Sequence, residues 1–168
     1  MRLKDQFPMV GHVDIYETTL DGIKNLLYSD SNQIQYAGAR LIALALATPS
    51  SSSPTITTIV TDVPAITAPA AALRSAEPPF VYSEIASAFT ATVSSDATSQ
   101  QIIVCRGMFT GVTTSTTRHY QFALLLNAST EDPPVTSTAL AYKYIDGGSI
   151  WGVDSVVEVV WTIYLGTA

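Results

Sequence analysis

From Val153 to Leu165 the chain alternates with a period of two. Val157, Val159, Trp161, Ile163 and Leu165 share one parity; Glu158, Thr162 and Tyr164 share the other. A helix would return apolar residues at every third and fourth position, so this alternation of β-branched and aromatic residues predicts an extended strand. Its odd parity is expected to enter a core, with Trp161 among it, and its even parity to meet solvent or a partner. The pattern recurs near the start, where residues 9–17, MVGHVDIYE, set Val13 and Ile15 against His12, Asp14 and Tyr16. Asp21-Gly22 follows as a turn signal and the apolar pattern resumes over 23–28, which predicts a β-hairpin.

Further strands are expected at Ile56–Val60, at 83–93 through Ile85, Phe89, Ala91 and Val93, and at Gln101–Phe109. Two more are expected at Arg118–Asn127, with Tyr120, Phe122, Leu124 and Leu126 on one face, and at Thr136–Ile145. The polar stretches SSDATS, TGVTTSTT, ASTEDPP and DGGSIWG separate them as turns. The period changes once. Ile34, Gly38, Leu41, Ile42 and Ala45 recur at helical spacing after the N-cap candidates Ser29 to Asn32, predicting one helix over residues 32–47 that Thr48-Pro49 stops. Residues 49–79 hold six of the nine prolines and read as a surface loop or, less simply, as an arm to a neighbouring subunit. The fold class predicted is mainly β: an antiparallel β-sandwich or barrel of about seven or eight strands with one helix in the N-terminal half. All 168 residues are expected to form one domain, with a hairpin–helix unit over 1–48 and the Pro/Ser-rich segment over 49–79.

Composition narrows the function classes. A single cysteine, Cys105, excludes an intrachain disulfide and fits a reducing cytoplasm. Eight Lys and Arg are scattered singly and the net charge is −6, so no basic patch exists to neutralise phosphates and no nucleic-acid partner is expected. The longest apolar stretch, 37–47, contains Arg40 and is too short to span a bilayer, and no apolar segment follows the charged start as a leader would require. No membrane partner is expected. Charged residues make up 13% against 47% hydrophobic, so the surface must be built largely from hydroxyls and small apolar groups. Monomers usually carry more charge, which points to a surface partly covered by neighbouring subunits.

Candidate chemistry is sparse. Cys105 lies inside the apolar strand IIVCRGMF, where a thiol behaves as a small hydrophobe. His12 reads as a strand-edge imidazole, His119 stands at a strand start, and two isolated histidines do not make a zinc site. Glu131-Asp132 sits in a proline-flanked turn, the loop 146–154 lacks the acid density of a calcium loop, and Asn127-Ala128-Ser129 is a chance sequon. Phosphate-cradling and nucleophile-elbow glycine motifs are missing. No catalytic residue, cofactor or metal is expected. The one aromatic set with a functional option is Trp151, in a Gly-rich loop, with Tyr142 and Tyr144; such a platform suits a partner protein or a glycan. The simpler alternative folds Trp151 back over the end of the sandwich.

The order of elements resembles a group of tailed-bacteriophage virion proteins. The resemblance rests on the opening VGHVDIY, TTLDG and IKNLLYS, on an asparagine leading into SNQIQYAGARLIALALAT, on the loose match ALRSAE at 72–77, and on the closing VVWTIYL. It covers the layout of the whole chain, and the letters of the first 47 residues and the last twelve. Aspartate and serine precede Asn32 where such proteins commonly carry a histidine, and the glycine pair often found after the variable loop is missing. The resemblance implies a tail, neck, fibre-base or head-decoration component, and no enzyme activity. It leads to a structural virion protein, made in the host cytoplasm, that assembles with itself as a ring or trimer and with other virion proteins. Two other expectations stand beside it: a jelly-roll capsid shell protein, and a carbohydrate- or receptor-binding module.

Overall fold

Each segment with a two-residue period is extended in the computed structural model, which describes residues 9–34, 55–62, 84–95, 100–110, 118–126 and 138–165. The strands are β1 (Met9–Thr18), β2 (Lys24–Ile34), β3 (Ile56–Asp62), β4 (Glu84–Ile85), β5 (Ala88–Ser95), β6 (Gln101–Phe109), β7 (Arg118–Leu126), β8 (Thr138–Ile150) and β9 (Val156–Leu165). All neighbours pair antiparallel. One sheet runs β2-β1-β9-β6-β5 and the other β2-β8-β7-β3-β4.

Two strands pass from sheet to sheet and form the corners. β2 pairs with β1 from Lys24 to Asn32, then turns Gln33 and Ile34 to Tyr142 and Ala141 of β8. At the opposite corner Glu84 and Ile85 pair with β3, and the Ala86 N–H donates to the Ile59 carbonyl at 2.9 Å. One residue later the Ser87 N–H donates to the Met108 carbonyl at 2.7 Å, and β5 continues along β6. β4 and β5 are thus two halves of one run, which makes eight strands in two sheets. Gly107 permits this crossing: a Cβ there would stand 3.1 Å from the Cβ atoms of both Ala86 and Ile59.

The core lies between the sheets. From β9 it takes Val157, Val159, Trp161 and Ile163; Val13, Ile15, Ile59, Phe109, Phe122 and Leu124 meet them from other strands. Glu158, Thr162 and Tyr164 are half-buried on the other face, as the alternation predicts. The hairpin also forms as expected. The Gly22 N–H donates to the Thr19 carbonyl at 2.9 Å, and a φ of +78° at Gly22 explains why glycine ends the turn.

Three expectations change. No helix occurs among the described residues, and Asn32, Gln33 and Ile34, placed at the start of one, end β2; the remainder of that segment, 35–47, lies outside the described residues. The 83–93 strand is broken at Ala86-Ser87, where the chain changes sheets. The turn at DGGSIWG is instead an excursion within β8. Gln121 pairs with Tyr144 and His119 with Ser149, so residues 145–148 have only residue 120 opposite, and Gly147 and Gly148 take φ values of +81° and +68°. The Pro/Ser-rich segment falls largely outside the described residues, as do Glu131-Asp132 and the Asn127 sequon.

Candidate interaction surface

Trp151, Tyr142 and Tyr144 do not share a face. Trp151 is fully buried and belongs to the core: its ring stacks on His119 with centroids 3.5 Å apart, and it meets Phe109 at 5.4 Å. The turn that carries it is pinned to β1, because the Gly152 N–H donates to Glu17 Oε1. A Cβ on Gly152 would meet Ser155 Oγ at 2.7 Å and Glu17 Oε1 at 2.8 Å, so glycine leaves room for both side chains. Tyr142 and Tyr144 stand on the opposite face of β8, both half-buried; the Tyr142 hydroxyl donates to Gln121 Oε1 at 3.2 Å, and its ring packs on Val60, Ala123 and Leu125.

The other reactive groups are enclosed or paired. Cys105 is completely buried, and burial pushes its thiol up to about 12. His119 is buried on the stacked Trp151, and burial draws its imidazole down to about 4. His12 stands on the outer side of β1, an interior strand of its sheet, with Nε2 at 3.1 Å from Asp14 Oδ1 and 3.0 Å from Ser29 Oγ. Among the described residues no three His, Cys, Asp or Glu side chains gather as a metal site would require. Glu158 on the outer face of β9 receives Lys24 Nζ at 2.5 Å and Arg106 Nη1 at 3.0 Å. Burial raises its carboxyl, but hydrogen bonds and charge from the two cations outweigh that and hold it below its ordinary value.

Sequence reasoning passed over a contact that joins three distant segments. The Trp161 indole N–H donates to Asn32 Oδ1 at 2.9 Å, across 129 residues of sequence. Asn32 lies opposite Gly11 on β1, and a Cβ on Gly11 would be 2.0 Å from Asn32 Oδ1. Glycine at 11 therefore makes room for the amide that satisfies the buried indole. Beside it, Lys143 Nζ bonds Asp30 Oδ2 at 2.6 Å and the Ser31 carbonyl at 2.8 Å, closing the corner where β2 leaves β1 for β8. The Asp30 carboxyl is lowered to about 2, chiefly by the Lys143 hydrogen bond and then by the Ser31 N–H.

The surface open to a partner lies at the other corner. Among the described residues β5 ends its sheet, with β6 on one side and no strand on the other. Its register with β6 is unbroken from Ala88↔Met108 to Ser95↔Gln101. Its residues, AFTATVSS, include no charge and no proline, and all but Phe89 are exposed, Val93 by 71%. The β1–β2 turn shows a second apolar feature in exposed Leu20, Ile23 and Leu26. The composition of 88–95 was the available signal for the open edge; its position in the sheet was not readable from the strand alone.

No family model, no curated protein and no solved structure matches the chain.

Proposed function

We infer that this chain is a non-enzymatic structural component of a bacteriophage virion, assembling as a homo-oligomer in the tail, neck, fibre base or on the head. The observation that carries the reading is the meeting of Gly11, Asn32 and Trp161. These residues come from the opening, the middle and the closing segments on which the family likeness rests, and one side-chain contact gives a physical reason for the three to occur together. The assembly part draws on the sparse charge of the chain, the open β5 edge and the apolar side chains at the β1–β2 turn. Its partners are further copies of itself and other virion proteins. The buried, un-ionised thiol of Cys105 favours this reading over nucleophilic chemistry, and the enclosed ring of Trp151 favours it over a glycan platform.

Native mass spectrometry of the purified protein, alone and mixed with candidate virion proteins, tests the proposal. Oligomers of the chain and complexes with tail or head proteins are expected. A protein that binds none of those virion proteins, whatever its own oligomeric state, would overturn it.

A further inference from the structure

We propose that β5 is a pairing edge that receives the β5 strand of a second copy of this chain, antiparallel, about a two-fold axis at Ala91. This deepens the assembly reading and takes its biological setting from it. A strand at a sheet edge directs half of its backbone N–H and C=O groups outward, and another strand satisfies that row in full. Sheet proteins normally guard such an edge with an edge lysine, a proline, a bulge or a very short strand. β5 has none of these over its eight residues, a length of about 27 Å at the rise of an antiparallel strand.

The strand selects its own copy because it suits itself. An antiparallel partner related by a two-fold axis perpendicular to the sheet opposes residues of like parity, so the two faces stay aligned. With the axis at Ala91, Phe89 of each copy lies beside Val93 of the other on the core-side face. Thr90 lies beside Thr92 on the outer face. Aromatic with β-branched and threonine with threonine are favourable cross-strand pairs. Val93, the most exposed large apolar side chain of β5, is thereby covered. No charge on the strand opposes the approach. Arg106, opposite Thr90 on β6, is already engaged by Glu158. The five-stranded sheet of each copy then continues into a ten-stranded sheet across the pair. Because the same patch meets itself, the contact joins two copies and stops; a ring or trimer would use other surfaces.

Sedimentation velocity of the full chain over a concentration series tests the pair, with Ala91→Lys, Ala91→Glu and a control, Val10→Lys, on β1. Ala91 and Val10 are both exposed, so each variant should fold, and a circular-dichroism melt matching the parent checks that it does. A reversible monomer–dimer equilibrium is expected for the parent and for Val10→Lys. Either charge at 91 alone should weaken it at least about tenfold, because like charges face each other at the axis. An equimolar mixture of the two Ala91 variants should restore the dimer. A parent that stays monomeric, a dimer indifferent to Ala91→Lys, or a mixture that fails to pair would overturn the proposal. A monomer found in virions would sink the β5 pair and leave the structural reading; a β5 dimer that binds no virion protein would do the reverse.

Discussion

At the corner where β2 changes sheets, Lys143 bridges Asp30 and the Ser31 carbonyl, and the Asn32 amide fills the space above Gly11 to reach the Trp161 indole. At the corner where β4–β5 makes the same crossing, two backbone hydrogen bonds and the bare Cα of Gly107 do the work, and β5 then runs on with no strand on its far side among the described residues. The first corner depends on polar side chains that must all be present, since a buried donor left alone costs more than a made bond returns. The second depends on close packing of small groups and leaves a backbone ladder unspent. One corner secures the fold; the other leaves it a place to be joined.

Breaking the sealed corner should have the largest effect. Gly11→Ala drives a Cβ into Asn32 Oδ1 and strips the Trp161 N–H of its acceptor, so urea unfolding should show a loss of about 3 kcal/mol. Acid should have an effect of similar size and should spare that corner. His119 is neutral when folded, so its contribution is complete above the unfolded value near 6.5 and is lost as pH falls towards about 4. Between these limits stability should drop by roughly 1.4 kcal/mol per pH unit. Urea midpoints across this range check the slope, which His119→Phe should flatten. The Lys143–Asp30 bridge should persist well below pH 4, because Asp30 titrates near 2.

Gly107→Ala probes the open corner directly. Its Cβ would press on Ile59 and Ala86, and a loss of about 1–2 kcal/mol on thermal unfolding is expected, smaller than at Gly11. The smallest effect belongs to Val93→Lys. With its side chain 71% exposed, monomer stability should move by less than about 0.5 kcal/mol in the same measurement. A large change there would mean that β5 is built into the monomer's core, and would erase the contrast between the corners.

The strands were readable where one face is buried and the other wet, because that condition writes alternation directly into the residues; β1 and β6 show it most fully. The errors arose where a distant partner decides. Asn32 has the look of a helix cap, yet its amide is held by an indole 129 residues away, which no local pattern records. Asp146-Gly147-Gly148 has the look of a hairpin turn, but pairing of Ser149 and Ile150 with β7 resumes beyond it and turns the glycines into a bulge. Trp151 follows those glycines and so reads as a loop residue, while Glu17 and His119 draw its turn inward. The surface was harder still. The residues of 88–95 predict a strand, but whether a strand is central or at an edge depends on which others find it, and that is a property of the whole sheet.

β9 lies between β1 and β6 and is paired along its length with both. Both neighbours are synthesised before it, and with its slot empty they are separated by two strand spacings, about 10 Å. A nascent chain carrying β1 to β8 can therefore form the β1–β2 hairpin and the β5–β6 pair and link them through β8, β7 and β3, but cannot close the first sheet between β1 and β6. Arrival of β9 must close loops spanning almost the whole described chain, which makes it the expected slow step of folding. Until then the apolar side of β6, with Ile103, Cys105 and Phe109, waits uncovered at the ribosome. In the cell this protein should need a chaperone most in the moments just before β9 emerges.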